Sequence, residues 1–254
     1  MSDILCQVVQ KNQPSFHCEN VKNLIIGSNE IALEAALRYA QSLGYVSFVL
    51  SHTIVGDATE RGQMFAQLAD FICRSLSAGR MADPSLVEAE LDIVQCGVDK
   101  TTINRLRWLL EESGHTGRPV CVLAAGETTV NVSGGGVGGR NQQMALAAAI
   151  GMDNLMRDDV AHEFAVEFLS SGTDGQDGPT DAAGALADPE MVRRSAKSSL
   201  LDAETFLRDN DSYGFFSRVD KGRNHVKTGL TGTNVMDLQV LLISKCRLDS
   251  AVPL

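Results

Sequence analysis

Phe164-Ala165-Val166-Glu167-Phe168-Leu169-Ser170-Ser171-Gly172-Thr173-Asp174-Gly175-Gln176-Asp177-Gly178-Pro179-Thr180-Asp181-Ala182-Ala183-Gly184-Ala185 changes chemistry partway along. The first six residues are apolar and aromatic enough to read as a strand. The remainder cannot fill a core. It holds the carboxylates Asp174, Asp177 and Asp181 and the glycines at 172, 175 and 178, then an alanine-rich stretch that predicts a helix start at 182–185. A strand ending in glycines and acids is how an α/β protein builds a site at the carboxyl edge of its sheet. Such a loop can carry a divalent cation, or aim a carboxylate at a substrate hydroxyl to take its proton. A calcium loop is excluded, because Gln176 and Gly178 stand at ligand positions and Ala185 where a bidentate glutamate belongs. Turn chemistry, with Thr180 or Asp181 as an N-cap, accounts for one or two of the three acids.

Ahead of that run the chain reads as βαβα, which predicts a parallel sheet with helices packed against it. Asn23–Gly27 predicts a buried strand, with Asn29 capping a helix whose apolar face is Ala32, Ala35, Ala36, Tyr39, Ala40 and Leu43. Gly44 stops that helix. Val46–Leu50 predicts a strand, and Glu60 to about Leu76 a helix burying Phe65, Leu68, Ala69 and Ile72. Ser77–Gln95 reads as a loop, Thr101–Glu112 as a helix, and Ser113–Gly117 as a domain boundary. Nearly half of the 23 glycines then fall between 126 and 184, where the backbone turns or approaches something closely. Strands are expected at 120–124, 128–132, 164–169 and about 238–243, with a helix over 141–150 and helical stretches to about Phe216.

Ser133-Gly134-Gly135-Gly136-Val137-Gly138-Gly139-Arg140-Asn141 precedes the 141–150 helix. Glycine amides beside a helix start can bind an anion. Arg140 is poorly placed for the helix dipole and well placed to clamp a carboxylate or phosphate; a flexible loop with a surface arginine is the plainer alternative. A dinucleotide fold wants an acid at the end of the next strand, and Asp158 and Asp159 precede that strand instead. A Walker A loop needs a lysine that Gly138-Gly139-Arg140-Asn141 lacks. The polar stretches 210–216 and 228–237, taken singly, read as turns. The five histidines have no partner spacing, and no hydrolase elbow is present.

The totals narrow the class further. With 44% hydrophobic residues the chain can bury a core, and its net charge of -10, its pI near 4.9 and the lack of a lysine- or arginine-rich stripe argue against a nucleic-acid surface. No segment has the ~18 apolar residues of a membrane span, and the N-terminus is not a secretory signal. The six cysteines show neither zinc nor disulfide spacing, so reduced thiols are expected.

Read together, Gly126-Glu127-Thr128-Thr129-Val130, Gly138-Gly139-Arg140-Asn141-Gln142, the 172–185 run, Asn210-Asp211-Ser212-Tyr213 and Thr231-Gly232-Thr233-Asn234-Val235-Met236-Asp237 resemble the glycerate kinase family, whose C-terminal domain is called MOFRL. Five motifs in order, over roughly residues 119–242, make the match specific. Ile25-Ile26-Gly27-Ser28-Asn29 and Gly56-Asp57-Ala58 look like the end of that family's first domain. The resemblance implies an α/β, three-layer mixed sheet with flanking helices over residues 114–254. Residues 1–113 would be the closing βαβα part of an incomplete, Rossmann-like first domain.

It also implies transfer of a phosphoryl group from ATP to a hydroxyl of D-glycerate with Mg²⁺, a reaction that is mostly positioning and charge neutralisation. In that scheme Arg140 would hold the substrate carboxylate or the transferring phosphoryl group, with Glu127 and Asn234 also at the substrate. Gly134, Gly136, Gly138, Gly139, Asn141 and Thr173 would face the nucleotide, and Asp174 and Asp177 would carry Mg²⁺ or orient the hydroxyl. The chain departs mildly from the family at Ala125-Gly126-Glu127, where Gly-Gly-Glu is usual. The family's first half, with a glycine-serine phosphate loop and an essential lysine, has no counterpart here. The resemblance therefore implies a truncated isoform or fragment with weak or no kinase activity alone. A cytoplasmic location is expected, with a mitochondrial one open for a full-length parent. The alternative to a kinase is a non-catalytic module that binds an anion or forms a homodimer.

Overall fold

The computed structural model describes residues 24–78, 99–156 and 163–246. In chain order these form α1 (Asn29–Ser42), β1 (Val46–Ile54), α2 (Ala58–Ala78), α3 (Lys100–Thr116), β2 (Val120–Gly126), α4 (Arg140–Leu155) and β3 (Phe164–Gly172). Then come β4 (Gly184–Ala187), α5 (Met191–Ser199), α6 (Ala203–Arg208), α7 (Ser212–Arg218), a 3-10 turn (Val219–Gly222), β5 (His225–Val226) and β6 (Asp237–Lys245). The six strands make one mixed sheet in the order β1-β2-β6-β3-β4-β5. The β1–β2 pair is parallel and the other pairs are antiparallel. β1 is thus the edge strand of the same sheet as β2, and the described residues hold no separate Rossmann-like sheet.

Strand β2 is the spine, and its period of two sorts the core into two sides. Val120, Val122 and Ala124 face a large cluster with α2, α3 and α4, whereas Cys121, Leu123 and Ala125 face a small one with Leu33 and Ala40 of α1. Helix α4 is apolar nearly all round and buried from Asn141 to Ile150. It crosses α2 closely because the contact residues are small. A Cβ on Gly62 would lie 2.4 Å from the Met144 carbonyl oxygen, and one on Gly151 2.6 Å from the Ala66 Cβ. Phe65 of α2 then reaches Phe168 of β3, with ring centroids 4.7 Å apart.

The structure departs from the sequence expectations where pattern alone misleads. Asn23 lies outside the described residues, and Leu24–Gly27 form no strand: Leu24, Ile25 and Ile26 are 70%, 80% and 94% exposed. An apolar run needs a partner strand, and none among the described residues pairs with it. Ser28, not Asn29, caps α1, with its hydroxyl accepting from the Ile31 N–H at 3.2 Å. Asn29 instead donates to the His52 carbonyl of β1. That rotation buries Leu33 and leaves Tyr39 and Leu43 outside.

Ser113–Thr116 continue α3, which Gly117 ends in the left-handed conformation. The loop expected over 77–95 lies outside the described residues except for Ser77 and Ala78, which close α2. Thr128–Val132 is not a strand but holds a single bridge, Asp57 to Thr129. The alanines at 182–185 lead into β4 rather than a helix. Gly184 lies so close over the Ser170 carbonyl, 2.0 Å from where its Cβ would be, that strand packing overrides alanine's helix preference.

Candidate active site

The carboxyl ends of β1 and β2 and the start of α4 border an open cleft of about 1030 Å³. This is where open α/β sheets place their ligands. His52, Thr53 and Val55 line it from β1 and its exit, Glu127–Val130 from the exit of β2, and Gly136, Gly138, Gly139 and Arg140 from the glycine loop. Val55 and Val132 give it an apolar wall with exposed side chains. Thr128 is 3% exposed, and its hydroxyl has no partner among the described residues.

Arg140 is the cation of this cleft. Its Nε and one Nη grip the buried carboxylate of Asp237 in a bidentate pair, at 2.5 and 2.8 Å, and the same Nη lies 3.4 Å from a Glu127 oxygen. The hydrogen bonds to Asp237 raise its already high pKa despite partial burial, so it is a fixed positive charge. Asp237 closes the last of the family-like motifs, and nothing in that motif singles it out for the site. The signal that could have found it is a lone acid opening a strand that is otherwise apolar but for Gln239, Asp237-Leu238-Gln239-Val240-Leu241-Leu242-Ile243.

The glycine loop is built differently from a phosphate cradle over most of its length. The Asn210 side-chain oxygen accepts from the amides of Ser133 and Gly134, and the Asp209 carboxylate from Gly135. The Asp209 carbonyl accepts from Gly136 and the Asp211 carboxylate from Val137. The glycines are required by that contact: a Cβ on Gly134 would lie 2.3 Å from the Asp209 carbonyl oxygen, and one on Gly136 2.3 Å from the Asp211 Cβ. Gly134 accordingly packs on protein instead of lining the cleft. Only the amides of Gly138, Gly139 and Arg140 donate to no described residue, and all three residues line the cleft.

Asp177 does not face the cleft as a metal ligand would. Its carboxylate is buried and accepts four N–H donors: the backbone amides of Asn141 and Gln142 and both of their side chains, at 2.9–3.2 Å. It caps α4 from a loop 36 residues away. Burial, only partly offset by those donors, holds its carboxyl above the ordinary value. Asn141 is likewise internal, with its side-chain oxygen accepting from Ser170.

Thr173, Asp174 and Asn234 form a neighbouring group. Asn234 donates to Asp174 at 3.0 Å, and the Thr173 hydroxyl donates to the Met236 carbonyl and accepts from the Val235 amide. Asp174 and Asp237 approach across Gly172, whose Cβ would lie 3.1 Å from one Asp174 oxygen and 3.6 Å from one Asp237 oxygen. Of the expected acids, Asp174 is thus beside the Arg140 pair and Asp177 behind it. No cluster of three or more metal-binding side chains occurs among the described residues. Asp174 suits a Mg²⁺ held by one carboxylate and ligand oxygens, whereas Asp177 has no free lone-pair direction to offer.

The third acid of the loop, Asp181, is exposed. It accepts from Tyr213 and Lys227, each at 2.9 Å, and both hold its carboxyl below the ordinary range. Tyr213 stacks on His225 at 4.7 Å. Burial, then the Lys227 charge, depresses the His225 pKa against a smaller opposing effect of Asp181. A depressed folded-state pKa means that the unfolded chain binds the proton more readily. This residue's contribution to stability is therefore full above the ordinary histidine value of 6.5 and falls as pH drops toward the folded value. An NMR titration should give His225 a midpoint below 6.5; a midpoint above it would contradict the burial seen here.

No described helix is long and apolar enough to cross a membrane. Cys73 and Cys121 are free and buried, and Cys246 is free and exposed; burial raises the Cys121 thiol to about 11.

Residues 120–237 match the MOFRL family. The chain is 42% identical to a glycerate kinase of Danio rerio over 235 residues, covering 92% of this chain and 45% of that protein. A glycerate 2-kinase of Pyrococcus horikoshii is 30% identical, with 90% of this chain and 41% of the relative covered. Among solved structures, a glycerate kinase from Thermotoga maritima superposes with a TM-score of 0.62 at 28% identity, over 96% of this chain and 50% of that one. The chain thus spans about half the length of the relatives it matches. Residues 120–237 are a MOFRL family domain, and most of the chain is homologous to about half of a glycerate kinase.

Proposed function

We propose that this chain supplies the Arg140 side of a site that phosphorylates a hydroxyl of D-glycerate with ATP and Mg²⁺. The observation that carries the proposal is Arg140 itself. It is a permanently charged guanidinium fixed at the mouth of the cleft, beside the three unclaimed amides of Gly138, Gly139 and Arg140. That group suits a carboxylate or a phosphoryl oxygen. The name of the Pyrococcus horikoshii relative favours the 2-hydroxyl as acceptor. The division into a first-domain remnant at 1–113 and a MOFRL-like domain at 114–254 stays a proposal about family descent, since position 113 falls within α3 and β1 shares the sheet of β2.

In this scheme the cleft walls at Val55 and Val132 exclude water from one side of the ligands, and Thr128 offers its unpaired hydroxyl to a polar group. Glu127 and Asp237 keep the guanidinium in one plane. Asp174 accepts the substrate hydroxyl's hydrogen bond or holds the cation, with Asn234 orienting its carboxylate. Mg²⁺, when bound, would neutralise phosphate charge, and Asp174 is the expected acid to hold it. Asp177 serves as a positioning residue, fixing the start of α4 from which Arg140 projects.

Calorimetric titration separates a substrate site from a general anion site. D-glycerate should bind, with propionate, the carboxylate without hydroxyls, at least about tenfold weaker. Equal binding of the two would overturn the assignment of the substrate. ADP release in the presence of D-glycerate and Mg·ATP would rule out the non-catalytic module, whereas its absence fits both that module and one half of a divided kinase site.

A further inference from the structure

Among the described residues, two left-handed non-glycine residues line the cleft, Asn210 with φ of 56° and Met236 with φ of 70°. Residues kept in that region persist where the surroundings over-determine them, and they cluster at functional sites. Here three hydrogen bonds hold Met236. The Thr173 amide and hydroxyl both donate to the Met236 carbonyl, at 3.0 and 2.7 Å, and the Met236 amide donates to the Asn234 side-chain oxygen at 2.9 Å. The next residue is Asp237. It opens β6 at a point paired with Gly126, the last residue of β2, on one side and Gly172, the last residue of β3, on the other. Its side chain is 1% exposed, and both of its oxygens go to Arg140.

The strained turn therefore has an identifiable product: one buried carboxylate, aimed at one guanidinium. Arg140 is 30% exposed, so water alone would leave its side chain many rotamers. A bidentate carboxylate removes that freedom and fixes the guanidinium plane. Its Nε and one Nη are occupied, and its other Nη makes neither of these contacts. Gly172 keeps room beside the pair: a Cβ there would crowd Asp174 and the Gln176 carbonyl, each at 3.1 Å, and would stand in ordinary contact with Asp237 at 3.6 Å.

We propose that Asp237 is a positioning residue for the reaction, acting through Arg140. Thr173 and Asn234 in turn act chiefly by locking Met236 so that Asp237 points inward. This rests on the reading of Arg140 as the ligand-holding cation, and it gives Thr173 and Asn234 a different task from direct contact with nucleotide or substrate.

The Nε–H resonance of Arg140 in the full chain tests this without any ligand. In the wild type it should be a protected signal. In Asp237→Asn its exchange with water should accelerate roughly tenfold or more, the scale of a lost charge-assisted hydrogen bond. Asp181→Asn should leave it unchanged, and formate added to Asp237→Ala should restore protection. An unchanged signal in Asp237→Asn, or no rescue by formate in a folded Asp237→Ala, overturns the proposal. If the Asp237 variants do not fold, Thr173→Val decides: faster Arg140 exchange supports the relay through Met236, and wild-type exchange sinks it. D-glycerate titrated into the same samples keeps the two readings apart. No binding to the wild type refutes the substrate assignment, while the Nε–H readout still judges Asp237. Wild-type affinity in an Asp237→Asn protein with a released Arg140 would refute the positioning role.

Discussion

Asp177→Ala is expected to lower the melting temperature by about 6–12 °C, from a loss of about 3 kcal/mol or more in a chain of this size. The carboxylate is almost wholly inside and answers four donors, two of them backbone amides of the first turn of α4. The N-cap residue of that helix, Gly139, has no side chain to do this. Alanine would leave two buried amides and the Asn141 and Gln142 side chains without their acceptor, and such orphaned donors carry the full desolvation penalty. Asp177→Asn keeps one acceptor oxygen and should cost distinctly less. Calorimetric scans of both variants check this. A melting temperature within about 2 °C of wild type for Asp177→Ala, less than a 1 kcal/mol change would give, would make Asp177 a solvent-facing ligand again.

Gly134→Ala and Gly135→Ala should differ sharply although they are neighbours in one glycine run. At Gly134 the new Cβ would fall 2.3–2.4 Å from three backbone atoms of Asp209, which cannot swing aside. Overpacking against backbone costs about 3 kcal/mol, enough to open the contact between the 133–139 and 209–211 loops. At Gly135 nothing lies within 4 Å, and alanine should be neutral or slightly stabilising. Denaturant unfolding of the pair reads the difference directly. Equal midpoints would mean that the loop is free of the 209–211 segment, as a ligand-gripping loop would be.

That glycine run shows where the sequence was legible and where it was not. Its composition announced a close backbone approach, and the approach is real. Composition could not say to what, because a phosphate and the polar loop at 209–211 demand the same absence of side chains. The same holds for Asp177: an acid in a glycine turn looks alike whether it meets a metal or a helix start 36 residues back in the chain. The α/β class, the strands at 120 and 164 and the helix after Arg140 were readable because each is a strong local pattern. The misread elements are those fixed by partners distant in sequence. Ala182–Ala185 has helix-forming residues, yet β3 claims it for the sheet. Leu24–Ile26 has a strand's composition and no strand beside it among the described residues. Arg140 stood out because an arginine at a helix start offends the dipole, a local anomaly that needs no knowledge of the fold. Asp237, its partner 97 residues away, gives only the weaker local signal of a lone acid at the start of a strand.

If Arg140 holds D-glycerate in the proposed site, titration of D-glycerate into Arg140→Lys beside the wild type will show it. Lysine keeps a charge against buried Asp237 and so spares the fold better than alanine, but it cannot make the planar, forked contact. D-glycerate should bind the wild type and lose roughly tenfold or more in affinity for the folded variant. Undiminished affinity in a folded Arg140→Lys protein would contradict that role of Arg140.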